Sequence, residues 1–171
     1  MRHTLMITDA IPQFLSRLSL REAVWLFPIA FTLHVLEEWP RFTAWAQRYA
    51  SPSFTRHDYL KIHLAGIVAA LAAAMVVWYF PNRLVVFVFF TFMLTPGIFC
   101  NTLFHAGVTA YFGAYCPGLV TALVLYLPLY GFLSTLAYRE GLLSSKLGLV
   151  SFVIAGVFHA IEVGHNVFKA W

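Results

Sequence analysis

Histidine and glutamate side chains recur at helical spacing inside strongly apolar segments of this 171-residue chain. An ionisable residue at the centre of a membrane-spanning helix costs roughly 2.5 to 3.5 kcal/mol on insertion scales, so such residues are rare without a partner or a role. Neutral imidazole and carboxylate groups together suit zinc, iron or manganese. The residues that we predict to form a metal site are His34, Glu37, Glu38, His63, Asn101, His105, His159, Glu162 and His165.

The spacing of these residues places several of them on common helix faces. His34, Glu37 and Glu38 stand at positions i, i+3 and i+4, which share one face of an α-helix. Glu162 and His165 form a Glu-x-x-His pair, the arrangement that dinuclear sites in ferritin-like bundles use. The histidines and glutamates suffice for two metal ions, whose charges would balance the buried glutamates. We therefore predict a dinuclear centre, with iron favoured and zinc second.

Some members of the set can also have roles other than metal binding. His63 and Asn101 can serve as hydrogen-bonding groups between helices rather than as ligands. Glu37 and Glu38 are the predicted catalytic residues, because a carboxylate beside a metal-bound water can act as a general base. A proton relay without metal is the alternative role for the whole cluster.

The composition predicts the elements that position these residues. Hydrophobic residues make up 61% of the chain and charged residues 11%, a balance typical of helices in a lipid bilayer. A helix needs about 20 residues to cross the hydrocarbon. We predict a single all-α integral membrane domain over residues 1–171, a helical bundle with five spans at about 22–39, 59–80, 83–112, 117–138 and 146–170.

The order of the spans predicts that the polar groups meet. The third span is interpreted as one long helix kinked at Pro96, because its first half is too short to cross alone. With five spans, the first, third and fifth run in the same direction, and each carries its polar residues in its second half. The second span runs the opposite way, with His63 near its start. All four groups are thus expected in one layer, toward one side of the membrane.

Two amphipathic stretches flank the first span. Their apolar and aromatic residues are Ile11, Phe14, Leu15 and Leu18 before it and Phe42, Trp45 and Tyr49 after it. Such stretches are typical of interfacial anchors, and they can also guard a lipid-side entrance. Six Lys and Arg residues fall on one side of the predicted spans and five on the other, so the positive-inside rule assigns no orientation. These residues do not cluster on one basic face, so nucleic acid is not an expected partner. The expected partners are membrane lipids and a hydrophobic small-molecule substrate.

Three polar motifs occur in order along the predicted spans. His34-Val-Leu-Glu37-Glu38 reads as His-x-x-Glu-Glu, and it is followed by Asn101-x-x-x-His105 and by the histidines of the last span. With these motifs, the chain resembles the HXXEE family of small integral membrane proteins. The resemblance implies a helical membrane fold and a functional cluster, but no particular reaction.

Two classes of function are consistent with the cluster. The first hypothesis is a membrane metalloenzyme that acts on a lipid-soluble small molecule, by oxygen-dependent oxidation if the metal is iron or by metal-assisted hydrolysis if it is zinc. The second is an ion- or proton-coupled transporter whose buried histidines and glutamates bind and release an ion. Carriers normally contain inverted repeats. The sequence shows no internal repeat, which favours the enzyme.

Overall fold

The computed structural model describes residues 18–169, which form helices and no β-strand in that range. The helices are α1 (Leu20–Ala23), α2 (Leu26–Glu38), α3 (Phe42–Tyr49), α4 (Arg56–Tyr79), α5 (Arg83–Phe112), α6 (Leu119–Arg139) and α7 (Ser145–Asn166). The predicted all-helical bundle is therefore confirmed. The amphipathic stretch predicted from Ile11 lies outside the described residues, apart from Leu18.

Four of these helices, α4 to α7, are long and apolar enough to cross a bilayer, which agrees with a membrane location. They correspond to the second to fifth predicted spans. The first predicted span is divided, because the chain turns at Val24 and Trp25 between α1 and α2. α2 has 13 residues. At 1.5 Å per residue it covers about 20 Å, which is less than the thickness of the hydrocarbon.

α5 continues as one helix past Pro96. Its central part, Phe90–Cys100, forms wide π-helical turns. Such turns accommodate a proline, which has no N–H to donate and whose ring crowds the preceding turn. α7 packs along this wide part of α5, and α6 contacts it as well. The last part of α5, which carries Asn101 and His105, is thereby directed into the bundle, where His105 is fully buried.

α3 is more deeply buried than an interfacial anchor would be. Phe42 and Trp45 are 3% and 5% exposed. The Trp45 ring packs edge-on against Phe104 and Phe112 of α5, with centroid distances of 6.2 and 6.1 Å. The aromatic face that was predicted to lie in the interface is therefore part of the protein core, because α5 offers it an aromatic surface.

Two apolar clusters enclose the polar residues. The larger one extends over α1, α2, α4, α5 and α6 and includes Tyr126. The smaller one consists of Phe42, Trp45, Ala46, Phe54, Tyr59 and Cys116. The His34 ring lies 4.5 Å from the Tyr126 ring of the larger cluster, and the His105 ring lies 6.3 Å from the Phe42 ring of the smaller one. The polar centre thus has apolar side chains on both sides.

Candidate metal centre

The carboxylate of Glu38 is the centre of a buried polar group. Its Oε1 atom lies 3.2 Å from His105 Nε2 and 3.5 Å from His34 Nε2. Its Oε2 atom lies 2.8 Å from His63 Nε2. His34, Glu38 and His105 are each no more than 2% exposed. The structure therefore brings together one carboxylate and three imidazoles from α2, α4 and α5.

The proton positions around His34 follow from a chain of hydrogen bonds. His34 Nδ1 lies 2.8 Å from Thr121 Oγ1, and this hydroxyl lies 2.5 Å from Glu37 Oε2. A carboxylate only accepts hydrogen bonds, so the Thr121 hydroxyl donates to Glu37 and accepts from the Nδ1–H of His34. The Nε2 atom of His34 then carries a lone pair and faces Glu38. This is the tautomer in which an imidazole binds a metal through Nε2.

His105 is held by a thiol. Its Nδ1 atom lies 3.2 Å from Cys116 Sγ, and the Cys116 thiol donates to the carbonyl of Pro117 at 3.7 Å. Burial, followed by the charges of Glu38 and Glu37, raises the pKa of the Cys116 thiol. The sulfur is therefore protonated at neutral pH. In the tautomer in which Nδ1 of His105 carries the proton, the sulfur accepts from this N–H, and the Nε2 atom of His105 presents a lone pair to Glu38.

The donor atoms of His34, Glu38 and His105 all lie within 4.8 Å of one another. The Nε2 atoms of both histidines are buried and have no hydrogen-bond partner, although Glu38 Oε1 is close to each. Two imidazole nitrogens and one carboxylate, each oriented by a further contact, are a donor set that fits a metal ion. This group could hold a metal.

His63 contacts the same carboxylate in a different way. Its Nδ1 atom lies 2.7 Å from the carbonyl oxygen of Tyr59, which can only accept, so Nδ1 carries a proton. At 2.8 Å between His63 Nε2 and Glu38 Oε2, a second proton must lie between these two atoms. The Tyr59 hydroxyl lies 3.4 Å from the same oxygen, but its shorter hydrogen bond, 2.9 Å, goes to the carbonyl of Val35. His63 therefore orients the Glu38 carboxylate through its second oxygen.

Glu37 is directed to the start of α6 and not to the centre. Its Oε1 atom accepts from the backbone N–H groups of Gly118 and Val120 at 3.2 Å each, and from the Tyr115 hydroxyl. Its Oε2 atom accepts from the backbone N–H of Thr121 at 2.7 Å. The first N–H groups of a helix have no partner within the helix and attract negative charge. Glu37 thus caps α6 from another helix.

This placement differs from the roles of ligand and catalytic base that the sequence predicted for Glu37. Consecutive residues of an α-helix are rotated by about 100°, so Glu37 and Glu38 face different neighbours. Glu38, at position i+4 from His34, faces the histidines of α4 and α5. Glu37, at position i+3, faces the N-terminal end of α6. Both oxygens of Glu37 are already occupied by N–H and O–H donors.

The loop between α5 and α6 completes the centre. Gly118 has a φ of +101°, and a Cβ atom at this position would lie 2.7 Å from the Cε1 atoms of both His34 and His105. A residue with a side chain would therefore displace two of the three donors. Tyr115 and Cys116 lie in the same loop, and Thr121 lies in the first turn of α6 that follows it. The prediction did not include these residues, although a Cys-Pro-Gly sequence directly before an apolar segment indicates a specific turn.

The residues of α7 lie beside the group and not within it. His159 and Glu162 line a cavity of about 120 Å³ together with Asn101, His34 and Glu38. Both ring nitrogens of His159 and the Oδ1 atom of Asn101 are buried without a hydrogen-bond partner. Among the described residues, the cluster of possible ligands contains none from α7. The reason is that α7 packs against the π-helical part of α5, which places its polar face beside the cavity.

His165 lies farther out. It is exposed and lines a second, larger cleft with Asp58, Lys61 and Lys169. The predicted Glu-x-x-His pair of α7 therefore divides between two spaces, since Glu162 borders both of them. The structure does not bring Glu162 and His165 together with Glu38 as common ligands of a dinuclear metal site.

The pentapeptide that supplies His34 and Glu38 also relates the chain to other proteins. The sequence model of one family, described as "Protein of unknown function with HXXEE motif", matches residues 25–133. The chain belongs to the HXXEE family. The part that matches includes all three possible ligands and the α5–α6 loop, and it ends before α7. No curated protein and no solved structure matches the chain.

Proposed function

We propose that this HXXEE protein is a membrane-embedded, metal-dependent enzyme whose metal is bound by His34, Glu38 and His105. One observation carries the proposal: two buried Nε2 atoms, each with its Nδ1 hydrogen-bonded elsewhere, lie 3.5 and 3.2 Å from the same carboxylate oxygen. Two lone pairs facing an anionic oxygen in a buried site repel it, and the cost of such burial is high. A divalent cation between the three donors turns this repulsion into attraction.

We propose one metal ion in place of the predicted pair. Glu37 caps α6, and Glu162 and His165 lie outside the group, so a second set of ligands is not assembled beside the first among the described residues. Two histidines and one glutamate form the donor set of many catalytic zinc sites, and it is also found with mononuclear iron. The prediction from the sequence favoured iron because three glutamates were included in the site. Only one carboxylate is present at the group, and we therefore propose zinc.

The proposed reaction is hydrolysis of an ester or amide in a lipid-soluble molecule. Three protein ligands leave a coordination position, where bound zinc would polarise a carbonyl and activate water. The protein orients the donors: Thr121 positions His34, Cys116 positions His105, and His63 positions Glu38. The substrate is expected to be lipid-soluble because the adjoining cavity is lined by Phe31, Phe42, Phe54 and Phe104 as well as by polar residues.

We also propose that the chain crosses the bilayer five times, with α1 and α2 together forming the first crossing. In that topology α2 ends on the side where α4 begins and where α5 ends. This arrangement accounts for the contacts that Glu38 makes with His63, near the start of α4, and with His105, near the end of α5. Accessibility of single cysteines placed at Ser53 and at Gly141 to a membrane-impermeant reagent tests it, since the two positions should react from opposite sides.

Metal analysis of the detergent-purified protein tests the proposed site. We expect about one equivalent of zinc per chain, as in other sites with three protein ligands. His34→Ala, Glu38→Gln and His105→Ala should each remove it, whereas His57→Ala, which changes an exposed histidine at the start of α4, should retain it. Iron in the wild-type protein would redirect the proposal to oxidation. A folded protein that binds neither metal on reconstitution would contradict it.

A further inference from the structure

A cleft of about 490 Å³ lies between α4 and α7, next to the inner cavity. On α4, its lining begins with Asp58 and Lys61 and continues with Ala65 and Ala69, so it changes from charged to apolar along the helix. The lining from α7 shows the same change from charged to apolar, from Lys169, three residues beyond the end of the helix, back to Phe158. The two helices thus present matching gradients of polarity.

An ion pair fixes the two polar ends at the same place. Lys169 Nζ lies 3.4 Å from Asp58 Oδ1. Away from this ion pair, the cleft is lined by Phe27 of α2 and by Phe92 and Met93 of α5. The cleft therefore has one charged end and one hydrocarbon-like end. This is the shape and polarity of a single-chain lipid with its head group at Lys61 and its chain at Phe92 and Phe158.

The inner cavity joins this cleft between its two ends. Phe31, Gly66, Gly97 and Glu162 line both spaces, so the point where a head group would meet its chain lies next to the metal centre. Here the Oδ1 atom of Asn101 lacks a donor and both nitrogens of His159 lack a partner. Buried polar atoms without partners are rare and costly. A ligand that supplies their hydrogen bonds removes this cost.

We propose that the occupant is a single-chain lipid amide whose amide bond lies between Asn101, His159 and the metal centre. An amide has an N–H that can donate to Asn101 Oδ1 and a carbonyl oxygen that can accept from a His159 N–H, whereas an ester has no donor. This inference rests on the proposed function and specifies its substrate class. In the hydrolysis, the C–N bond breaks, the hydroxyl of water joins the carbonyl carbon and its hydrogen goes to the nitrogen. The products are a fatty acid and an amine with the polar head.

Photolabelling with N-palmitoyl ethanolamine that carries a diazirine at the end of its chain tests the inference. We expect cross-links in the peptides that contain Phe92 and Phe158. Competition should show that the unlabelled amide binds about tenfold more tightly than the corresponding ester, as expected for one additional hydrogen bond to a buried acceptor. Asn101→Leu should abolish this preference for the amide.

A pair of tryptophan variants tests the path of the chain. Ala69→Trp fills the apolar part of the cleft and should prevent labelling. Ala72→Trp places the same side chain at an exposed position of α4 that does not line the cleft, and it should leave labelling unchanged.

Zinc content is measured on the same samples, so that the two proposals can fail separately. A wild-type protein that binds zinc but does not prefer the amide over the ester overturns the lipid-amide inference and leaves the metal site standing. If the protein binds no metal but is still labelled with a preference for the amide, the lipid-amide inference is supported and the proposed metalloenzyme is contradicted.

Discussion

His34 Nδ1 lies 2.8 Å from Thr121 Oγ1, although the two residues are 87 positions apart in the chain. Because the Thr121 hydroxyl donates to Glu37, this contact fixes the tautomer of His34 and directs the lone pair of Nε2 to Glu38 and the candidate metal centre. The two glutamates of the HXXEE motif therefore have different tasks. Glu38 is a donor to the proposed metal. Glu37 accepts the hydrogen bond of Thr121 and so orients His34, another donor to that metal.

Thr121→Val removes the hydroxyl while keeping the size and branching of the side chain. We expect zinc affinity to fall about 10- to 100-fold, the usual effect of losing a group that orients a ligand. Thr121→Ser should restore it. Thr135→Val is the matched control, because the Thr135 hydroxyl also lies on α6 but contacts only the carbonyl of Gly131. Competition with a chromophoric chelator measures the affinities, and equal values for the Thr121→Val and Thr135→Val proteins would argue against this relay.

His63→Leu tests whether His63 orients Glu38 or binds the metal itself. Its Nε2 atom is hydrogen-bonded to Glu38 Oε2, so we expect zinc still to bind, with affinity lowered about 10- to 100-fold. His105→Leu removes a donor and should abolish binding at the same zinc concentrations. If both variants lose zinc to the same extent, His63 is a fourth ligand.

The hydrophobic runs of the sequence were sufficient to locate α4 to α7, because a helix that crosses lipid needs a long apolar segment. The convergence of His34, Glu38 and His105 was also predictable. It follows from helical periodicity within α2 and from the direction of each span. The break between α1 and α2 was not predicted, since Val24 and Trp25 are as apolar as the residues around them.

The role of Glu37 was not predictable from local pattern, because its partners are the backbone N–H groups of a helix that starts about 80 positions later. The same holds for Cys116 in the α5–α6 loop and for Thr121 at the start of α6, whose partners are His105 and His34 of other helices. Periodicity assigns residues to a face of a helix, but it does not identify what that face meets. The prediction of two metal ions rests on counting all polar residues of one layer as ligands, and it stays a prediction.

Gly118→Ala should disrupt the metal centre through direct contact. The new Cβ would lie 2.7 Å from the Cε1 atoms of His34 and His105, so at least one ring must move. Gly113→Ala is a matched control: Gly113 also has a positive φ, of +61°, but has open space where the Cβ would be. Both variants should lose about 1 to 2 kcal/mol of stability from backbone strain. Only Gly118→Ala should also lose its zinc, as measured after purification; retention of zinc by this variant would contradict the tight packing of the loop.

Tyr115 should give the protein a component of stability that disappears at high pH. Burial and then the hydrogen bond to Glu37 raise the pKa of the Tyr115 phenol from 10.0 to about 12. An acid whose pKa is raised by folding is held in its protonated form, so its contribution is complete below pH 10 and is lost as the pH rises from 10 to about 12. Tyr115→Phe should be less stable than the wild type at neutral pH and should not show that additional loss. The ultraviolet difference between the two proteins isolates the tyrosinate of Tyr115, and a midpoint near 10 in place of 12 would show that the phenol does not donate to Glu37.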